Sequence, residues 1–270
     1  AIAEALDQIG AVVGPLIFTV LFILLGKGDK GLADYQKGYA LLWIPFVLVM
    51  LSILLAYKKA PNPEVLESSL SKRPEQDKLS RVFWLYTIFS FITTLGFTNF
   101  VLIGYHFKAK NVITDAQIPL FYAIAMGVDA IAALIIGKVY DLFKNKKQND
   151  KAGLSTLIII PILSIFIPIF AFSRNYIFAL ISALIWGVVM GAHETVMKSA
   201  IADLTTLKKR GTGYGIFNTA YGLAIFIGTA LLGLLYEKSI PAIIIFSLLV
   251  QFAGIFAFFL MRKEALAKEV

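Results

Sequence analysis

Four ionisable side chains lie inside or beside long apolar stretches of the sequence. Asp129 interrupts the stretch 116–137, His193 and Glu194 directly follow another stretch, and Asp7 comes just before the first one. An ionised group at the centre of a membrane-spanning helix costs about 2.5–3.5 kcal/mol on insertion scales, so each such group needs a reason. Carboxyl and imidazole groups in these positions can take up protons or contact a polar solute. The sequence therefore offers these four residues as candidates for proton coupling or solute binding.

Each candidate also has a structural interpretation. Asp129 can form a hydrogen bond to a neighbouring helix, and Asp7 can pair with a helix that precedes this chain. Glu194 and Lys198 are four residues apart, so they share a helix face and can neutralise each other. Asn218 either lines a polar cavity or joins two helices by a hydrogen bond. The sequence leaves both interpretations open for these residues.

Other kinds of chemistry have no support in the sequence. There is no Cys and there are only two His, so thiolate chemistry is excluded, and we expect neither a metal site nor a cofactor. No GxxxxGK[ST] motif for phosphate binding occurs, and the carboxylates are scattered, so we predict that the protein is not an enzyme. The net charge of +8 resides in connections beside apolar stretches, which favours a lipid bilayer over nucleic acid as the partner.

Eight apolar runs make up most of the chain and must position these candidates. About 20 apolar residues cross a bilayer as a helix, and backbone groups in lipid must be satisfied within the helix. With 59% hydrophobic residues and a mean hydropathy of +0.80, the sequence predicts an all-α polytopic membrane protein. The runs are 8–26, 38–57, 82–105, 116–137, 152–173, 175–192, 211–236 and 239–261.

The basic residues predict the orientation of these runs. Alternate connections carry 18 of the 25 Lys and Arg residues, and the connections between them carry the other 7. The positive-inside rule places the first set in the cytoplasm, so both ends of the chain are predicted to be cytoplasmic, in the cell membrane. The first set is 58–81, 138–151, 198–210 and 262–268, and the second is 26–37, 106–115, 174 and 237–238.

Residues 58–81 form the longest polar stretch, with three prolines and mixed charges. Such a composition is typical of a linker. We therefore predict two helices in 1–57, a cytoplasmic linker in 58–81 and a six-helix bundle in 82–270. Two helices before the linker are fewer than a bundle needs, so the chain is expected to lack helices at its front.

Three segments resemble the major facilitator superfamily. The spacing of Gly137, Asp141, Lys144 and Lys147 resembles the GxxxD loop between the second and third helices of each six-helix half, with Leu142 where the family usually has Arg. Gly10, Gly14 and Pro15 resemble the GxxxGP motif of the family's fifth helix, which is frequent in its antiporter branches. The regions 191–203 and 210–218 resemble the tenth and eleventh helices of prokaryotic members without an assigned substrate.

This resemblance implies that the eight runs are helices five to twelve of a twelve-helix transporter, and that the missing N-terminal helices are partners of this chain. It further implies secondary active transport by alternating access, with small-molecule solutes and protons as partners. We expect proton-coupled efflux by antiport. An uptake symporter and a non-transporting scaffold or sensor are the alternatives. The cluster of Asp141, Lys144 and Lys147 is expected to gate the bundles, and Gly10, Gly14 and Pro15 to allow close helix packing.

Overall fold

The computed structural model describes residues 2–26, 29–59, 78–147 and 150–266. The side chains of 2–6, 147, 150, 198 and 207 lie outside this description. The described part is helical throughout most of its length and contains no strand. Its α-helices are α1 (Ile2–Leu24), α2 (Leu32–Leu41), α3 (Trp43–Lys59), α4 (Arg81–Leu95), α5 (Phe100–Ala109), α6 (Gln117–Lys147), α7 (Ile159–Ala171), α8 (Tyr176–Leu204), α9 (Arg210–Lys238) and α10 (Ile240–Leu266).

Eight segments of the described chain are long and apolar enough to cross a membrane, which confirms the predicted all-α polytopic fold. Helices α2 and α3 together form one segment, and α4 and α5 form another. A 3₁₀-helix over Asp150–Ile158 leads directly into α7 and lies in the same segment. The remaining segments are α1, α6, α8, α9 and α10. Most of the predicted linker, residues 60–77, is outside the described residues.

The helices extend well beyond the predicted runs. Helix α6 continues from 137 to Lys147, and α8 continues past 192 to Leu204. The segment 137–147 that resembles the GxxxD loop is therefore helical and forms the last turns of α6. Each run was ended at an ionisable residue, whereas a helix keeps its backbone hydrogen bonds beyond the apolar core, where charged side chains reach water.

Helices α6 and α8 approach each other closely because small residues line their contact. A Cβ atom at Gly187 would overlap the carbonyl oxygen of Ala125. A Cβ at Gly191 would lie 2.7 Å from the carbonyl oxygen of Asp129, and one at Gly137 would lie 3.1 Å from Thr195 Cγ2. This spacing of small residues allows two membrane helices to bring their backbones into contact. The close contact at Gly137 thus involves a side chain of α8.

The other helices of 78–266 complete a bundle around this pair. Helix α4 packs against α9 and α10, and α7 packs between α8 and α10. Tyr86 of α4 is fully buried, and its hydroxyl donates a hydrogen bond of 2.8 Å to the carbonyl oxygen of Met197. The break between α4 and α5 is also satisfied internally, since Ser247 donates to the carbonyl oxygen of Gly96 at 2.6 Å and Trp186 donates to that of Thr98 at 3.1 Å.

Helix α1 packs along α6 on the outside of this bundle, and α2 packs against α1. The rings of Phe18 and Phe22 meet those of Tyr39 and Tyr35 at centroid distances of 5.2 and 5.1 Å. Helix α3 follows α2 and has no buried residue in the described structure. The N-terminal helices thus contact the bundle mainly through α1.

Candidate functional site

One buried amide joins three helices in the interior of the protein. The Gln8 side chain of α1 is 4% exposed. Its Nε2 donates to Asp129 Oδ2 of α6 at 3.3 Å and to Glu194 Oε2 of α8 at 2.7 Å. We call this arrangement of Gln8, Asp129 and Glu194 the Gln8 bridge. It brings two of the predicted coupling candidates together, although they are 65 positions apart in the sequence.

The Gln8 bridge lies deep between the helices. Asp129 is fully buried and lies twelve residues after the start of α6 at Gln117, about 18 Å at the rise of an α-helix. Gly191 makes room for it, because a Cβ at Gly191 would come within 3.0 Å of Asp129 Oδ1. Glu194 is half-buried and follows Gly191 by three residues, so the two lie on one face of α8. The α6–α8 contact therefore holds both carboxylates beside α1.

Gln8 is not among the residues predicted from the sequence, although its neighbour Asp7 is. The Asp7 side chain is exposed, while Gln8 faces α6. Successive residues of a helix point about 100° apart, so only one of the two can face the bundle. A polar amide one residue inside an apolar run was the available signal. It was weak because an uncharged amide costs little enough to occur in many membrane helices.

His193 lies in an aromatic cluster next to the Gln8 bridge. Its ring stacks on Phe97 at a centroid distance of 5.3 Å, and its Nδ1 lies 3.2 Å from the Tyr221 hydroxyl of α9. Asn218, also on α9, is exposed. Structural contacts of His193 thus involve α9 and the chain between α4 and α5, whereas Glu194 faces α1. The functional roles predicted for His193 and Glu194 stay predictions.

A second cluster ties α6 to α8 where both helices end. Lys144 Nζ donates to the two carboxylate oxygens of Asp203 at 2.9 and 2.8 Å, and the Tyr140 hydroxyl donates to Asp203 Oδ2 at 2.8 Å. Asp141 of the predicted gating segment is exposed. The side chains of Lys147 and Lys198 are outside the described residues. We call this end of the bundle the Asp203 end, and the gating role of the segment stays a prediction.

The opposite end carries a contact between the α1–α2 and α5–α6 connections. Lys108 Nζ donates to Asp115 Oδ1 and Oδ2 at 2.9 and 2.8 Å, and the Lys30 backbone N–H donates to Asp115 Oδ2 at 2.8 Å. Burial by itself raises the pKa of Asp115, but these hydrogen bonds outweigh it and hold the pKa below its ordinary value. We call this contact the Asp115 latch and this end of the bundle the Asp115 end.

The predicted packing motif of α1 makes no close contact within the described structure. A Cβ atom at Gly10 or Gly14 would meet no described heavy atom within 4 Å. Pro15 lies inside α1, which continues through it to Leu24. Across the described ranges, no three His, Asp or Glu side chains come together as a metal site would require. The packing role of Gly10, Gly14 and Pro15 remains a prediction.

Long apolar helices with carboxylates and an amide buried between them define a polytopic helical membrane protein with a polar interior. The chain belongs to the Major Facilitator Superfamily, whose family model matches residues 1–229 and, in a second match, 148–270.

Relatives of this chain occur in mycobacteria. The uncharacterized proteins Mb2288 of Mycobacterium bovis and Rv2265 of Mycobacterium tuberculosis are each 32% identical to it over 272 residues, which cover 99% of this chain and 63% of the relative. The chain therefore spans a little under two thirds of the length of these relatives. No solved structure matches it.

Proposed function

We propose that this chain is part of a secondary active transporter that works by alternating access and moves a small solute in exchange for protons. Membership of the Major Facilitator Superfamily supports the transport class. The observation that carries the coupling proposal is the Gln8 bridge, in which Asp129 and Glu194 share one amide donor.

The Gln8 bridge can respond to a proton because an amide carries both a donor and an acceptor. With both carboxylates ionised, Nε2 donates to each of them. Gln8 Oε1 is buried and accepts no hydrogen bond from any described residue. A protonated Asp129 or Glu194 would become a donor for that oxygen. Protonation then rearranges the contact between α1 and the α6–α8 pair, which is the kind of helix movement that alternating access requires.

The proposed direction of transport and the proposed orientation in the membrane are supported by features of the sequence. The resemblance of Gly10, Gly14 and Pro15 to the GxxxGP motif of antiporters favours export over uptake. The excess of Lys and Arg in connections at the Asp203 end favours a cytoplasmic position for that end and for both chain ends, in the cell membrane. In this arrangement 1–57 belongs to one helical bundle, 58–81 is the linker and 82–270 is the second bundle.

Proton flux in liposomes tests this function. The full-length gene product is reconstituted with a pH-sensitive dye inside, and a panel of solutes is added to wild type, Asp129→Asn and Glu194→Gln. We expect solute-dependent proton movement in wild type. It should decrease at least tenfold in each variant, because each variant replaces one of the two carboxylates of the Gln8 bridge by an amide that does not bind a proton. Glu237→Gln is the matched control, since Glu237 is exposed near the end of α9.

The outcomes separate the hypotheses. Proton movement that persists unchanged in both variants would retain transport but contradict coupling at the Gln8 bridge. Proton influx and solute uptake in the same direction would identify a symporter. Folded protein that moves neither protons nor any solute of the panel would favour a non-transporting scaffold or sensor.

A further inference from the structure

An aromatic cavity lies between the α1–α2 and α5–α6 segments at the Asp115 end. Its volume is about 570 Å³, within the range of small-molecule sites. Most of its wall consists of aromatic rings from five helices, α1, α2, α5, α6 and α8. These rings belong to Phe18, Phe22, Tyr35, Tyr39, Phe100, Tyr105, Tyr122 and Trp186.

The wall of this cavity already holds an ammonium group. Lys108 Nζ lies 5.7 Å from the centroid of the Tyr35 ring while it pairs with Asp115. The face of an aromatic ring attracts cations, and a carboxylate beside the ring adds to that attraction. The ring of Tyr35 and the carboxylate of Asp115 therefore form a cation site, and both residues line the cavity.

The two partners of this ion pair differ in how easily a ligand can replace them. The Lys108 side chain is 42% exposed, whereas that of Asp115 is 8% exposed and also accepts from the Lys30 backbone. A ligand cation can take the place of the Lys108 ammonium. The Lys108 side chain then rotates so that its ammonium group is in the solvent. A ligand anion would have to replace Asp115 and leave its buried carboxylate without the Lys108 charge, which is costly. The exchange therefore favours a cation.

One residue of the cavity wall, Tyr122, lies on the same helix as Asp129 of the Gln8 bridge. Tyr122 precedes Asp129 by seven residues on α6, so both lie on one face, about 10 Å apart along the helix. The Tyr122 ring packs against Phe100 and Trp186 at centroid distances of 5.0 and 5.9 Å. A molecule in the cavity is thus placed two helical turns from the proposed coupling carboxylates.

We propose that this cavity binds a hydrophobic organic cation with aromatic rings, whose charged group replaces the Lys108 ammonium over Tyr35 and beside Asp115. The assignment deepens the proposed function by naming the solute class and rests on that function for its role in transport. Binding itself can be measured without transport.

Two ions of the same shape and opposite charge provide the test. Tetraphenylphosphonium and tetraphenylborate both present four phenyl rings, and equilibrium dialysis of the full-length protein in detergent measures the binding of each. We expect tetraphenylphosphonium to bind at least tenfold more tightly than tetraphenylborate. Asp115→Asn should weaken tetraphenylphosphonium binding about tenfold, while Lys108→Gln should strengthen it about threefold to tenfold, because the competing ammonium is removed.

Lys110→Gln is the matched control, since it removes an equal charge from an exposed side chain two residues away that does not line the cavity. The two ions binding equally, or Lys108→Gln weakening the cation as Asp115→Asn does, would overturn the assignment. If Asp115→Asn does not fold, the Lys108→Gln comparison decides alone.

This result is separable from the proposed function. Selective cation binding without solute-driven proton flux would contradict proton-coupled transport and retain the cavity as a cation site. Proton flux with another solute and no selective cation binding would retain transport and overturn the solute class.

Discussion

A primary amide between two acids gives the Gln8 bridge properties that a lysine would not. Gln8 donates one hydrogen bond to each carboxylate and adds no charge of its own to the site. A buried ammonium would instead neutralise one acid and favour its ionised form. The choice of glutamine therefore suits the change of protonation that we propose for this site.

We predict that Gln8→Met lowers both stability and coupling. Methionine has a similar length but no donor, so two hydrogen bonds to carboxylates are lost, each worth about 1.5–3 kcal/mol. The apparent melting temperature, followed by tryptophan fluorescence in detergent, should fall by several degrees, and solute-driven proton flux should be strongly reduced. Asp7→Asn, at the exposed neighbouring position, should leave the melting temperature unchanged. Wild-type melting and flux in Gln8→Met would contradict the importance of the amide.

The acids of this site were predictable from the sequence and the amide was not. Asp129 and Glu194 stand out because a charge in an apolar helix is expensive. Gln8 carries no charge, and it lies 121 residues from Asp129 and 186 from Glu194. No local spacing rule connects positions so far apart, so only the packing of α1 on α6 reveals the bridge.

At the scale of elements, the contact between α6 and α8 positions both acids. The Gly187–Gly191 spacing on α8 allows backbone contact with α6 at Ala125 and Asp129. Without this contact Glu194 and Asp129 would be separated by a layer of side chains. The close packing of these two helices is thus a precondition for the Gln8 bridge.

We predict that Gly187→Ala destabilises the protein, because the added Cβ would overlap the Ala125 carbonyl oxygen. Overpacking of this kind typically costs about 1–3 kcal/mol. The apparent melting temperature in detergent measures the effect. Gly215→Ala on α9 is the control, since a Cβ there meets no described heavy atom within 4 Å, and alanine favours a helix. Equal melting temperatures for both variants would show that α6 and α8 separate without penalty.

The number of membrane segments followed from the sequence, but their ends and breaks did not. The run 82–105 reads as one continuous helix, yet the structure divides it into α4 and α5 around Gly96. Asn99 then caps α5, because its side chain accepts from the backbone N–H of Val101. The break is stable because side chains of distant helices take up its carbonyl groups, a tertiary effect that hydropathy does not contain.

For the molecule as a whole, two polar contacts at different levels attach α1 and its connection to the bundle formed by 78–266. The Gln8 bridge acts within the helices, and the Asp115 latch acts at the Asp115 end. Any movement of α1 away from α6 at that end must first separate Lys30 from Asp115. The latch therefore opposes opening of the Asp115 end.

We predict that Asp115→Asn favours an open Asp115 end. The Lys108 side chain is 42% exposed, so water screens part of its charge and the loss is about 1 kcal/mol, which changes the ratio of closed to open molecules about fivefold. Spin labels at Gln36→Cys and Lys110→Cys, both exposed positions in a sequence without cysteine, report the distance by pulsed electron resonance. The longer distances should gain population in Asp115→Asn, and an unchanged distribution would argue against a latch.

The same labels test the pH dependence. Because the pKa of Asp115 is held below its ordinary value of 3.8, the latch stabilises the closed end fully above that value and weakens as pH falls through the lowered pKa. Wild-type distances should therefore be the same at pH 7 and pH 5, and should approach those of Asp115→Asn only in stronger acid. A change between pH 7 and pH 5 would point to another titrating group.

The order of residues in the Gln8 bridge has a consequence for how the protein is made. The ribosome releases α1 before α6, and α6 before α8, so the amide of Gln8 is already in the bilayer when each acid-bearing helix leaves the translocon. Asp129 can then enter the bilayer beside the Gln8 amide before that amide has donated to a carboxylate. Glu194 enters later, when the same amide already donates to Asp129. We expect membrane insertion of α6 to depend on the earlier presence of α1, which makes the donor an intramolecular aid to biogenesis.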